Sequence, residues 1–192
     1  MTARCPWPGQ DDRMLAYHDQ EWGVPIHDDR QWFEKLVLDT AQAGLSWKTI
    51  LHKREGYREA FHLFDVERVA AMTDDDVEDL MQNPGIVRNR MKIRSTISNA
   101  KAFMAVQKEF GSFDQYIWSF TGGKRVVNQF RELKDFPART DLSDRISKDL
   151  KKRGFSFVGS TVVYAFIQAG GIVDDHTVTC FRKADLASGF PV

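Results

Sequence analysis

Three groups of residues in this chain have the types and spacing for chemistry. The first is Cys5, His18, His176 and Cys180. Two thiols and two imidazoles are the donors of a closed, tetrahedral zinc site of the structural kind. His176 and Cys180 stand four apart, so a helix there puts both on one face. Such a site ties together the two ends of the chain, where fraying is the rule. The two halves are remote in sequence, and the same residues also fit a buried thiol beside two hydrogen-bonded histidines. His27, His52 and His62 show no such pairing and read as surface or locally bonded side chains.

The second group is aromatic. Trp7, Tyr17, Trp22, Trp32, Phe33 and Trp47 crowd the N-terminal quarter. Trp32 and Phe33 read as core. The stretch Ala41-Gln42-Ala43-Gly44-Leu45-Ser46-Trp47 is different, because it breaks a helix at Gly44 and then sets a leucine beside a tryptophan. A base drawn out of a duplex needs an aromatic face to replace its lost stacking, and the gap it leaves needs an apolar plug. Trp47 and Leu45 suit these two tasks. Asp39, on the helix that carries Phe33 and Leu36, is placed to enter a pocket as a hydrogen-bond acceptor.

The third group is a hairpin. Ile146 to Thr161 reads as helix, glycine-bounded turn, helix. Gly154 supplies a left-handed cap, and Gly159 opens the second helix to close backbone approach. The free amides there, with the hydroxyls of Ser160 and Thr161, suit a phosphate. Lys151, Lys152 and Arg153 precede the turn and strengthen that field. An ordinary helical hairpin with a solvated basic face accounts for the same residues.

The elements that must position these groups are helical. Apolar residues recur at three and four, and strand signals are scarce. Asp28 or Asp29 caps a helix running toward Ala43 and ended by Gly44. Thr73 caps an acidic first turn, Asp74 to Asp76, and Pro84-Gly85 breaks that element. A long helix fits Asn89 to Phe110, ended by Gly111, with Ser112 capping the next from Phe113 to Phe120. Gly122-Gly123 is a turn, and Lys124 to Thr140 is irregular. Asp141 or Ser143 opens a helix to Lys152, and another runs from Ser160 to Ala169. No repeat, linker or low-complexity segment interrupts the chain.

The 192 residues, 42% hydrophobic and 12% aromatic, suit a single packed unit. No apolar run reaches the roughly 18 residues of a membrane span, and the N-terminus lacks a signal-peptide core, so the expected location is cytoplasmic. The formal net charge is zero, which argues mildly against a DNA binder. Basic clusters nevertheless occur at Arg88, Arg90, Lys92 and Arg94 and at Lys151 to Arg153. With two cysteines in a reducing compartment, a disulfide is not expected.

Taken together, Cys5-Pro6-Trp7, Tyr17 to Pro25, Gln42 to Trp47, Leu150 to Gly159, and Asp175-His176 with Cys180 resemble bacterial DNA-3-methyladenine glycosylase I, a branch of the helix-hairpin-helix DNA glycosylases, almost end to end. The resemblance implies an all-α, helix-hairpin-helix glycosylase-like fold, with its termini tied by one structural Zn2+ on Cys5, His18, His176 and Cys180. It implies one catalytic unit over 1–192, with a lobe of about 1–45 and 165–192 and a hairpin lobe of about 46–164. It implies that Trp47 stacks on a flipped base, that Tyr17 hydrogen-bonds it, and that Trp7 and Trp22 line or support the pocket. Leu45, with Gly44 beside it, fills the hole in the duplex. The hairpin residues Lys152, Arg153, Gly159, Ser160 and Thr161 then hold the backbone of double-stranded DNA containing alkylated adenine. The implied enzyme is a monofunctional, monomeric N-glycosyl hydrolase that leaves an abasic site.

Two positions depart from the family pattern. Glutamate is usual where this chain has Asp39, and the shorter arm loses roughly 1.5 Å of reach. Asparagine is usual where it has Asp174. Val173-Asp174-Asp175-His176 matches the context in which the wider superfamily places a catalytic aspartate. Asp174 therefore either shares the catalytic role of Asp39 or caps a helix carrying His176 and Cys180. A lesion-binding homologue with altered excision is the alternative that Asp39 raises.

Overall fold

The structure is a computed structural model that describes residues 3–187. Among these, the helices are α1 (Asp12–Gln20), α2 (Asp29–Gln42), α3 (Trp47–His52), α4 (Arg54–Ala60), α5 (Val66–Ala70), α6 (Asp74–Leu80), α7 (Arg90–Phe110), α8 (Phe113–Ser119), α9 (Asp141–Lys152), α10 (Ser160–Ala169) and α11 (Phe181–Ala187). Two short strands, β1 (Val126–Val127) and β2 (Val173–Asp174), pair in parallel, Val126 with Val173 and Val127 with Asp174. No helix of the described residues is long and apolar enough to cross a membrane.

Side-chain caps set most of the helix starts. Asp28 accepts from Gln31 N, Asn89 from Lys92 N and Ser112 from Gln115 N, each satisfying an amide that the helix itself leaves free. Thr73 and Asp76 form a reciprocal capping box. The cap of α9 is Thr140, in a box with Ser143, and not Asp141 or Ser143. The threonine stands at the spacing at which its hydroxyl meets the third amide.

Helix α2 runs through the centre and packs against α3, α7, α8 and α10. Trp32, Phe33, Leu36, Phe103, Phe113 and Phe166 form the main core around it, each no more than 1% exposed. Removing such side chains from water stabilises the fold by about 1.5–3 kcal/mol apiece. Of the expected lobe of about 1–45 and 165–192, residues 1–2 and 188–192 lie outside the described residues. A smaller cluster, Cys5, Met14, Tyr17, Trp22, Leu51 and Cys180, packs with Trp7, Trp47, Phe136 and Phe181. The candidate site lies there.

The irregular stretch Lys124 to Thr140 carries β1 and a 3-10 turn at Leu133–Asp135. One segment differs from the helical reading. His176 and Cys180 do not share a helix; residues 175–180 are extended and turn backbone leading into α11. Asp174 Oδ1 accepts from the amide and Nδ1 of His176, Thr177 N donates to Cys5 Sγ, and Val178 N donates to Phe130 O. Amides committed to these partners are not available for a helical ladder. Asp174 accordingly caps no helix.

Candidate functional site

Aromatic side chains from separate parts of the chain meet around one cavity of about 190 Å³. Trp7 comes from the N-terminal turn, Tyr17 from α1, Trp22 from the turn after it, and Trp47 opens α3. The Tyr17 and Trp47 rings are 5.0 Å apart, and those of Trp7 and Trp22 are 5.1 Å apart. Asp39 enters from α2, and Gln42, Leu133, Phe136, Ala165 and Gln168 complete the lining. The space is smaller than the roughly 300–1,000 Å³ of drug-sized clefts and suits one flat base.

The polar atoms of this lining are incompletely satisfied. Trp7 Nε1, Trp47 Nε1 and Asp39 Oδ2 are buried without a hydrogen-bond partner. Unpaired buried polar groups are rare in native proteins and costly. Three around one cavity describe a site built for a ligand with both donors and acceptors. Burial drives the Asp39 carboxyl up to about 7, while Lys35 pulls the other way.

A second hollow shares Asp39, Gln42 and Ala165 with the first and is otherwise lined by Ala43, Gly44, Leu45, Thr161 and Val162, from the helix break and the start of α10. Gly44 turns the chain at φ +77, a left-handed conformation that side chains resist, and Leu45 projects from it 40% exposed. Lys92 holds this turn from behind, donating from Nζ to Ala41 O at 2.8 Å and to Ala43 O at 2.6 Å.

The hairpin residues divide. Gly154 is left-handed, and Lys152, Thr161 and the backbone at Gly159 face open space or solvent. The Ser160 hydroxyl, however, bonds Ser143 Oγ at 2.8 Å. Arg153 bonds Asp149 and Glu109 and lies over the Phe110 and Tyr116 rings, so its charge is already engaged. In the basic cluster on α7, Arg90 pairs with Glu78 and Arg94 with Asp74.

Beside the cavity, Cys5, His18 and Cys180 are buried with their ligand atoms within 4.8 Å of one another, a group that can hold a metal ion. His176 stands next to them, its ring 5.1 Å from that of His18, and its Nε2 is buried without a partner. His18 Nδ1 bonds Asp19, and its Nε2 lies 3.5 Å from Cys180 Sγ, as a metal-ligating histidine requires; His176 Nδ1 bonds Asp174, and His176 itself is not among the three residues whose ligand atoms the structure groups. The Cys5 thiol and His18 pull Cys180 down to about 4, favouring a thiolate. Gly23 is close against this group: a Cβ there would lie 2.7 Å from His176 Cε1. Asp174 is buried against His176, Lys183 and Arg125 and does not line the cavity.

Sequence patterning assigns no site role to Leu133, Phe136, Ala165 and Gln168, and Gln42 stands in the Gln42 to Trp47 motif without one. Ala165 and Gln168 follow Thr161 on one face of α10, a detectable spacing. Leu133 and Phe136 lie in the irregular stretch, where no period marks them.

The sequence profile of the methyladenine glycosylase family matches residues 7–183. The chain belongs to that family. A DNA-3-methyladenine glycosylase of Haemophilus influenzae is 49% identical over 180 residues, 94% of this chain and 97% of its own. A crystal structure of 3-methyladenine DNA glycosylase I superposes with a TM-score of 0.91 at 51% identity, covering 93% of this chain and 98% of that one. A variant of 3-methyladenine DNA glycosylase I in complex with 3-methyladenine also has a TM-score of 0.91, at 38% identity, covering 94% of this chain and 97% of the other. A solved relative in complex with 3-methyladenine therefore shares this chain's helical frame.

Proposed function

We propose that this methyladenine glycosylase removes 3-methyladenine from double-stranded DNA by hydrolysing its N-glycosidic bond, leaving an abasic site. The observation that carries the reading is the indole-walled cavity with an unpaired, buried carboxylate. N3-methylation makes the base cationic within DNA, so it leaves readily and needs little acid catalysis. The site's work is to extrude, select and hold it.

Each part of the cavity has a task in that scheme. Trp47 stacks on the base, and an electron-rich indole favours a cation. Tyr17 and Asp39 meet its polar edge, while Trp7 and Trp22 close the walls. Leu45, presented by the Gly44 turn, enters the duplex where the base was. The ionised Asp39 also opposes positive charge on the sugar as the bond breaks and water adds at the anomeric carbon. The base departs neutral with the bonding electrons, and the water loses a proton to solvent. The lining contains no lysine to form a Schiff base, in keeping with a monofunctional hydrolase. Lys152, Thr161 and the Gly159 backbone hold phosphates of the same strand system, with the protein acting as a monomer.

Asp174 acts here as a positioning residue for His176 and not as a second catalytic carboxylate. One Zn2+ on Cys5, His18, His176 and Cys180 fits the donor set and the orphaned His176 Nε2. Four protein ligands leave no open position for water, so such an ion is structural. Release of free 3-methyladenine from an alkylated duplex, by the chain and by Asp39→Asn and Asp39→Glu variants, tests the function. Release that falls at least about 100-fold in Asp39→Asn and persists in Asp39→Glu is expected. Duplex binding with no release by any of the three contradicts it and indicates a lesion-binding protein.

A further inference from the structure

Charge and stacking alone do not tell one methylated purine from another. N3-methylation leaves a cation on adenine and on guanine alike, and an indole face accepts either ring. The two differ at C6, where adenine carries an amino donor and guanine a carbonyl acceptor. A side chain that separates them must present an acceptor that cannot become a donor. An amide qualifies only if it is prevented from turning over.

Gln168 on α10 meets that condition. It is half-buried and lines the cavity. Its Nε2 donates to Asp175 Oδ2 at 2.6 Å. Asp175 is fully buried and lies outside the lining, so this arm of the amide is committed away from the cavity. The Tyr164 hydroxyl donates to the same Oδ2, and Asn128 Nδ2 donates to Oδ1 at 2.7 Å. With these donors converging on it, the Asp175 carboxylate is an acceptor throughout. Only the NH2 arm of Gln168 can face it, because the reversed amide would set oxygen against oxygen. Oε1 is the arm left over, and it accepts no hydrogen bond among the described residues. The backbone is held as well: Gly23 N, beside Trp22, donates to Gln168 O at 3.1 Å.

The other polar groups of the lining are less selective. Gln42 makes no side-chain hydrogen bond among the described residues, so its amide can turn to suit either purine. Asp39, its carboxyl raised to about 7 by burial, can take up a proton and donate to a carbonyl. Gln168 can do neither.

We propose that Gln168 selects for adenine by reading the C6 amino group of the extruded base, its Oε1 accepting one amino hydrogen while the unpaired Asp39 Oδ2 accepts the other. The assignment rests on the glycosylase reading above. An amino group has two hydrogens to give, and the wall supplies one fixed and one adaptable acceptor. A base with a carbonyl at C6, in the same pose, meets Gln168 Oε1 with no proton between the two oxygens, and leaves both of them unpaired.

The test is binding of free 3-methyladenine and of free 3-methylhypoxanthine, which carries an oxo group in place of the C6 amino group, by calorimetric titration of wild type and Gln168→Met. Wild type should prefer 3-methyladenine by about 100-fold or more. Gln168→Met should cut that ratio by about 10-fold, weakening 3-methyladenine and relieving the clash with 3-methylhypoxanthine. A purely structural glutamine would weaken both bases alike and leave the ratio where it was. Equal affinity of wild type for the two bases, or a ratio unchanged in Gln168→Met, overturns the inference. So does a wild-type complex with 3-methyladenine in which Gln168 Oε1 lies more than about 3.2 Å from the amino nitrogen, and that structure decides the matter even if Gln168→Met does not fold. Folded wild type that binds neither base sinks the glycosylase reading itself.

Discussion

Asp39 carries an energetic liability that its function explains. A carboxyl raised from 3.8 to about 7 by burial is held neutral in the fold over a range where the unfolded chain ionises it. The folded state then binds more protons than the unfolded one between those values, so stability falls as pH rises through that window. The full contribution is present below about pH 4 and is gone above about pH 7. Asp39→Asn removes the titration. The variant is therefore expected to melt above wild type at pH 8, by an amount on the order of a few kcal/mol, and level with it near pH 4. Thermal unfolding at the two pH values checks this. A residue that destabilises the empty protein and lines its cavity is the stability–function conflict expected of a binding group. Trp47 belongs to the same scale: Trp47→Ala should lower affinity for free 3-methyladenine by about 10- to 100-fold, as loss of base–aromatic stacking does, measured by calorimetric titration.

At the scale of elements, the α2 C-terminus and the hairpin present the site. Lys92 satisfies two terminal carbonyls of α2 just before the Gly44 turn, where a cation also meets the negative end of the helix dipole. Lys92→Met should cost about 1–2 kcal/mol of stability. It should also reduce release from duplex more than binding of the free base, because only the duplex needs Leu45 held in place. Parallel measurement of both quantities decides. The hairpin separates two basic residues that look equivalent in sequence. Lys152→Ala should lower the slope of log K for duplex binding against log salt by about 1. Arg153→Ala should instead lower stability by about 1–2 kcal/mol with little change in slope, because its charge is spent on Asp149 and Glu109. Salt titrations and denaturant melts of the pair check both.

Across the whole molecule, segments near both ends of the described residues pack together beside the cavity. Phe181 N donates to Ala3 O, and Thr177 N donates to Cys5 Sγ. The Trp22 ring packs against His176 at 4.6 Å and Trp7 against His18 at 5.5 Å, so the proposed metal tether and the indole walls are one packed body. Chelation, or Cys180→Ser, should lower Tm by roughly 6–12 °C, about 3 kcal/mol for a chain of this size. Purified protein should hold one zinc per chain by elemental analysis.

Much of this arrangement is legible in the sequence for physical reasons. Helices capped by Asp28, Thr73, Asn89 and Ser112 announce themselves through local chemistry, and Gly44 marks a turn that only a glycine accepts easily. The meeting of Trp7 with Trp22, or of Cys5 with Cys180, depends on long-range packing that spacing does not encode; there the family resemblance, and not periodicity, supplied the expectation. Two misplacements have the same origin. A four-residue spacing suggested a helix for His176 and Cys180, yet tertiary hydrogen bonds claim those amides. Adjacent basic residues put Lys152 and Arg153 together as backbone contacts, yet Arg153 is paired with acids on α7 and α9.

The most direct measurement is a crystal structure of the protein soaked with 3-methyladenine. The base should lie against Trp47 with a ring nitrogen or its amino group within hydrogen-bond reach of Asp39. A base bound elsewhere, or a cavity that stays empty at saturating concentration while the protein is folded, contradicts the account.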